Sequence, residues 1–318
     1  MVDYIYLIAG LAVLVVGGDI LVKGAVGLAE KMQIPALIIG LTVVAFGTSA
    51  PELFISLKAA LDGASGLAIG NVVGSNITNI LLVMGIPALL APTVCDEDGI
   101  SRNLNMMIGF TLIFMVMLYH DELSRFDGFA LLMLLGLYLY SQVRIARQKK
   151  AQGIKEVEAD YHDEVSTVPT SNLVIGALLA IGIVLLPLGA ELTVTGARSI
   201  AQDWGISDAV IGLTVVALGT SLPELATAIV ATLRGNTSLA VGNVVGSNIF
   251  NIGSIMGITA LVQPMEVDAS ILRVDIWIML ACALLLAGLA HWKVKLGKLV
   301  GFVLTGLYAI YITIQFAG

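Results

Sequence analysis

Charge is what this sequence has least of. Only 12% of its 318 residues are Asp, Glu, Lys or Arg, about half the share of a soluble domain. A soluble fold this poor in charge would present large apolar patches to water, so the freely soluble class is excluded. Cysteine occurs twice and histidine three times. Cys95 and Cys282 stand in no paired spacing, so neither a disulfide framework nor a metal motif is indicated. No Gly-x-x-x-x-Gly-Lys-Ser/Thr phosphate loop and no soluble nucleotide-holding domain is present, so ATP-driven pumping by this chain alone is not expected. The net charge of −7 leaves no basic groove for nucleic acid. No nucleophile–base pairing suggests an enzyme, and no cofactor is expected. The opening Met1-Val2-Asp3-Tyr4 lacks the basic stretch of a cleaved signal, so the first apolar run is expected to be a retained helix.

What is abundant is apolar sequence, 58% of the chain. It falls into runs long enough to cross a bilayer, which takes about 20 residues. Ten spans can be drawn, at 4–22, 34–60, 67–91, 104–120, 128–144, 172–195, 208–233, 239–262, 271–291 and 297–316. The expected fold is therefore an all-α integral membrane protein of ten transmembrane helices. The long polar stretch, 148–171, carries Lys149, Lys150, Glu156, Glu158, Asp160, Asp163 and Glu164 and reads as a linker. Sorting the loops by Lys and Arg puts twelve of the sixteen on the linker's side, among them Lys23, Arg102 and Arg234; Lys58, Arg125, Arg198 and Arg273 fall on the other. By the positive-inside bias the linker is cytoplasmic and both termini are external, in a cell (inner) membrane.

A repeat organises the chain. Gly-Leu-Thr-Val-Val-Ala-x-Gly-Thr-Ser-x-Pro-Glu-Leu occupies Gly40 to Leu53 and again Gly212 to Leu225. Gly-Asn-Val-Val-Gly-Ser-Asn-Ile-x-Asn-Ile occupies Gly70 to Ile80 and again Gly242 to Ile252. Both pairs are offset by 172 residues, as are Pro92 and Pro264, and Asp19 and Glu191. A constant offset means one duplicated unit: residues 1–147 form a first five-helix repeat and 172–318 a second, joined by the linker 148–171. Five is odd, so the second copy enters the membrane from the opposite side. Inverted repeats of this kind place their substrate at the repeat interface near the midplane.

Glu52 and Glu224 lie at equivalent positions inside the second and seventh spans. A charge at that depth costs on the order of 3 kcal/mol and must have a partner. Two carboxylates in one dry site need a proton or a cation between them. The proline of each Gly-Thr-Ser-x-Pro-Glu breaks its helix, offering the carbonyls of Ala45 and Ala217 beside the carboxylate, while Thr48, Ser49, Thr220 and Ser221 add hydroxyls. Local capping is the competing reading, because Ser49 to Glu52 and Ser221 to Glu224 both fit a capping box. Ser75 and Asn79, and Ser247 and Asn251, are spaced i, i+4 and share one helix face. Gly70, Gly74, Gly242 and Gly246 read as close-packing positions, and Asn71, Asn76, Asn243 and Asn248 as packing hydrogen bonds. Asp19 and Glu191 read as interfacial or packing residues, and Asp96, Glu97 and Asp98 as solvated loop acids. The pooled donor set is all oxygen, which selects hard cations such as Ca²⁺, with six to eight oxygens. Two carboxylates balance one Ca²⁺ or several Na⁺, and competition for that charge is a route to antiport. Proton-coupled Ca²⁺ exchange and a passive cation channel remain alternatives.

At these residues the sequence resembles the calcium/cation antiporter superfamily, in its sodium/calcium exchanger branch. The two doubled motifs are that family's alpha repeats, and the resemblance covers nearly the whole chain. It implies Ca²⁺/Na⁺ antiport by alternating access, with Ca²⁺ and Na⁺ as substrates and the lipid bilayer as surroundings. It also implies a diamond of Glu52, Glu224, Asn79 and Asn251, with Thr48, Ser49, Ser75, Thr220, Ser221, Ser247 and the carbonyls of Ala45 and Ala217 as further ligands. Sliding of the first and sixth helices past the other eight is attributed to the family. Many sodium/calcium exchangers carry Asp where this chain has Asn251, which removes one titratable group from the set.

Overall fold

The structure is a computed structural model that describes residues 2–94, 99–119, 122–151, 169–204, 217–268 and 271–317. Within them it is almost wholly helical, because lipid offers backbone groups no partner and a helix pairs them internally. Helix α1 (Val2–Met32) is followed by a broken run of α2 (Ala36–Ile39), a π-helical turn (Gly40–Val44), α3 (Ala45–Thr48) and α4 (Ala50–Leu61). Then come α5 (Ser65–Thr78), a second π turn (Asn79–Val83), α6 (Gly85–Leu90), α7 (Ile100–Leu118) and α8 (Arg125–Ala151). The later part contains α9 (Asn172–Asp203), α10 (Ala217–Thr220), α11 (Leu222–Leu233), α12 (Thr237–Phe250), a π turn (Asn251–Met256) and α13 (Gly257–Val262). A π turn at Ile271–Asp275, α14 (Ile276–His291) and α15 (Lys298–Ala317) complete it.

Among the described residues, eight helices are long and apolar enough to cross a membrane, and nine if the run from Ala36 to Leu61, bent by 45°, is one span. The predicted span 208–233 falls partly on residues 205–216, outside the described set; α10 and α11 are its described part. Several helices overrun the predicted ends. The first continues past Lys23 and Lys31 to Met32, and the sixth reaches Asp203. Hydropathy marks where a chain leaves the apolar layer, whereas the hydrogen-bond ladder continues into the interface. Large apolar side chains such as Leu173, Phe126 and Leu299 stay exposed, as expected where lipid is the surrounding solvent.

Two sets of contacts position the interior. The first is the long seam of α1 and α9. A Cβ at Gly24 would meet Leu178 and Leu179, one at Gly17 would meet Leu185, and one at Gly196 would meet Leu7. Rising numbers on one helix meet falling numbers on the other, so the two run antiparallel. The second set joins the two copies crosswise. Strand β1 (Thr93–Val94) pairs antiparallel with β4 (Lys295–Leu296), and β2 (Glu122–Leu123) with β3 (Met265–Glu266). In the same sense Gly85 packs against Thr305 and Gly301 against Leu89, while Gly128 and Gly257 touch each other. Within α1, Asp19 is ion-paired with Lys23 at 2.8 Å and with Arg234.

The α1–α9 seam makes a direct stability prediction. A Cβ at Gly182 would lie 2.7 Å from Leu21 Cβ and 2.8 Å from its Cα, too close without moving a helix, whereas at Gly176 nothing described lies within 4 Å. Gly182→Ala is expected to destabilise by about 1–3 kcal/mol as an overpacked contact. Gly176→Ala should be neutral or slightly stabilising through helix propensity. Melting in detergent, followed by tryptophan fluorescence, checks the difference.

Candidate cation site

The proline motifs break their helices as the sequence requires. Pro51 and Pro223 each stand in the first turn of α4 and α11, where the missing N–H costs nothing. The preceding Ser49 and Ser221 have non-helical backbone and make no side-chain capping bond, so the capping box is not formed. Ser49 instead donates from its hydroxyl to Glu224 Oε1 at 3.2 Å, reaching from one copy of the motif to the carboxylate of the other. Glu52 and Glu224 have no exposure at all and lie near enough to interact electrostatically. Among the described residues, both oxygens of Glu52, and Oε2 of Glu224, have no hydrogen-bond partner.

Around them stands a buried polar layer. Thr48 Oγ1 lies 3.2 Å from both the Val44 carbonyl oxygen and Asn243 Oδ1. The Ala45 carbonyl accepts the Ser49 N–H at 3.1 Å; Ala217 opens α10 directly after the undescribed segment. Asn71 donates to Ser56 Oγ at 2.9 Å and to the Glu52 carbonyl at 3.4 Å, tying the backbone of Glu52 to α5. Ser75, Thr220, Ser221 and Ser247 are all buried.

The amides of the two motif copies bond to each other. Asn76 donates to the Asn248 carbonyl and Asn248 to the Asn76 carbonyl, both at 3.4 Å. Asn79 donates to Asn248 Oδ1 at 3.1 Å, and Asn251 to Asn76 Oδ1 at 3.0 Å. Positions 172 residues apart thus exchange identical bonds. The consequence is chemical: the NH₂ groups of Asn79 and Asn251 are occupied, while their Oδ1 atoms are buried without a partner among the described residues. The hydroxyls of Ser221 and Ser247 are in the same condition. Buried polar atoms left unpaired cost about 1–3 kcal/mol each, and a cation supplies what carboxylate, amide and hydroxyl oxygens lack. The donors gathered here are carboxylate, hydroxyl and amide oxygens, with two carboxylates among them, a set suited to hard cations.

Sequence reasoning missed the π turns. Asn79 and Asn251 each open one, and Ala45 follows another. Such turns add a residue to the helix, re-aim side chains and are frequent at functional sites. Hydrophobic periodicity carries no signal for them. Asn76 and Asn248, read from sequence as packing residues, set the orientation of the amides beside them. Asn248→Ala should therefore strand the Asn79 NH₂ group, costing about 1–3 kcal/mol. Thermal melting checks the effect.

The family model described as sodium/calcium exchanger protein matches residues 2–144 and 174–317. The chain is 38% identical over 314 residues to the inner membrane protein YrbG of Escherichia coli (strain K12), covering 98% of this chain and 95% of that protein. It is 33% identical over 347 residues to the sodium/calcium exchanger MaX1 of Methanosarcina acetivorans, covering 99% of each. A solved structure of the sodium-calcium exchanger NCX_Mj, soaked with 2.5 mM Na⁺ and 0.1 mM Ca²⁺, superposes with a TM-score of 0.83 at 33% identity, covering 98% of both chains. With both motif pairs inside the matched segments and the fold shared over nearly its full length, the chain is a multi-pass membrane protein of the sodium/calcium exchanger family.

Proposed function

We propose that the chain exchanges Ca²⁺ for Na⁺ by alternating access, both ions competing for oxygens at the interface of two inverted five-helix repeats. The observation that carries this reading is the wholly buried pair Glu52 and Glu224, bridged by Ser49 from the first motif to the carboxylate of the second. In this reading Glu52, Glu224, Asn79 and Asn251 hold Ca²⁺. Thr48, Ser49, Ser75, Thr220, Ser221, Ser247 and the carbonyls of Ala45 and Ala217 supply the oxygens that several Na⁺ need. One Ca²⁺ or several Na⁺ neutralise the two charges, whereas the empty site stays charged inside an apolar shell and crosses poorly. This couples the two fluxes without any chemical step.

The reading takes the chain as ten spans in two units, 1–147 and 172–318; the reciprocal Asn76–Asn248 bonds, the crosswise ribbons and the antiparallel α1 and α9 support it. The glycine-lined seam lets α1 and α9 travel as a pair against the remaining bundle. The location in the cell (inner) membrane is supported by the likeness to YrbG, and the linker 148–171 is assigned to the cytoplasm with both termini outside.

Purified protein in liposomes is expected to move Ca²⁺ against its gradient when a Na⁺ gradient is imposed, and not when only K⁺ or H⁺ gradients are. Proton-driven, uncoupled or absent flux contradicts the proposal. Glu52→Gln or Glu224→Gln removes a charge that faces the bound ion. Losing one partner of a buried pair costs about 3 kcal/mol or more, about a hundredfold in binding. Coupled flux should fall accordingly while insertion and melting are kept. Tags placed after Gln152 and at the C-terminus should react from opposite faces; reaction from one face sinks the inverted arrangement.

A further inference from the structure

Helices α5 and α15 enclose, with the turn at Ile271–Asp275, a cavity of about 330 Å³. Its lining includes Asn71, Ser75 and Thr220 of the polar layer just described and, with them, Asp275, Tyr311 and Gln315. Ser75 stands ten residues into α5, about 15 Å along its axis. Asp275 is half-buried and accepts hydrogen bonds from Tyr311 Oη at 3.1 Å and from Gln315 Nε2. Both donors are neutral, and among the described residues no Lys or Arg pairs with it. Its charge faces the cavity uncompensated.

The other copy has the same frame without the charge. Asn103, 172 residues before Asp275, accepts from Tyr138 Oη at 3.3 Å and Gln142 Nε2 at 2.6 Å, and these stand 173 residues before Tyr311 and Gln315. This second frame lines a smaller crevice, about 180 Å³, shared with Arg102 and Lys149. The two frames belong to opposite faces. Leu296, just before α15, pairs with Thr93 on the Asn103 side, and Gln315 lies seventeen residues beyond Lys298, about 26 Å further at 1.5 Å per residue.

We propose that the cavity between α5 and α15 is the path by which cations reach the site from the face opposite residues 148–171, with Asp275 as a positioning residue that draws them in. The two entrances then differ in kind: an acid attracts cations at one, and an amide flanked by basic side chains leaves the other without that pull. A charge in a cleft with low-dielectric walls focuses its field and raises the local concentration of counter-ions. The identity of the cations rests on the exchange reading; the path does not.

The path is tested by cysteine labelling in proteoliposomes. Ile55→Cys places a thiol in the cavity lining, in a background of Cys95→Ser and Cys282→Ala, and is probed with cationic and anionic methanethiosulfonates of similar size. The thiol should react from the face opposite 148–171. The cation-to-anion rate ratio should fall several-fold on adding Asp275→Asn and return with Asp275→Glu. No reaction from that face, or a ratio indifferent to residue 275, overturns the proposal. In transport, Asp275→Asn should slow Ca²⁺ entry from that face at about 10 mM ionic strength. The deficit should shrink near 0.15 M, where the Debye length is about 8 Å, and entry from the other face should be unchanged. Equal slowing from both faces assigns Asp275 to folding and also overturns the proposal. A parent protein without Na⁺-driven exchange sinks the exchange reading alone, since the labelling result stands by itself.

Discussion

Two carboxylates enclosed in one apolar interior cannot stand uncompensated, and that constraint organises the molecule. Glu52 and Glu224 have no exposed surface, and an ion buried without a partner carries a penalty of several kcal/mol. Folding does not relieve it with Lys or Arg, since no described salt bridge involves either glutamate. The surroundings supply further oxygen instead, in broken helices, hydroxyls and amides whose donor ends are already bound. On the proposed reading, cations complete this set of oxygens.

The second organising feature is the way one motif serves twice. Asn76 and Asn248 hold each other reciprocally, and each turns the terminal amide of the other copy so that its oxygen is left over. The copies are nevertheless not identical. At Gly242 an added Cβ would lie 2.6 Å from the Leu37 carbonyl oxygen, whereas at Gly70 nothing described lies within 4 Å. Asp275 replaces Asn103 in otherwise matching frames. On the proposed alternating-access reading, symmetry in the core serves both faces, and such departures are where the two can come to differ.

Much of this was legible in the sequence, for identifiable reasons. Long apolar runs are unambiguous because hydrocarbon tolerates few charges, so the membrane class and the helical fold followed. The pair Glu52 and Glu224 stood out because a carboxylate at bilayer depth is costly, and the 172-residue offset tied the two together. The break at Pro51 followed from the chemistry of proline. Other features were hidden. The capping reading of Ser49 could be set aside only once its hydroxyl was seen to reach Glu224, a contact across 175 positions that no local pattern encodes. The π turns at Asn79 and Asn251 depend on tertiary packing, and the overrun of α1 and α9 on hydrogen bonds that continue past the apolar layer. The distinct part played by Asp275 required knowing which helices meet.

The central claim is that Ca²⁺ and Na⁺ contend for one set of charges. Equilibrium ⁴⁵Ca²⁺ binding to the purified protein, titrated with Na⁺ at constant ionic strength, tests it most directly. The account predicts that Na⁺ displaces Ca²⁺ completely and competitively, with more than one Na⁺ needed per Ca²⁺ released. Ca²⁺ that stays bound at saturating Na⁺, with unchanged affinity, would contradict it.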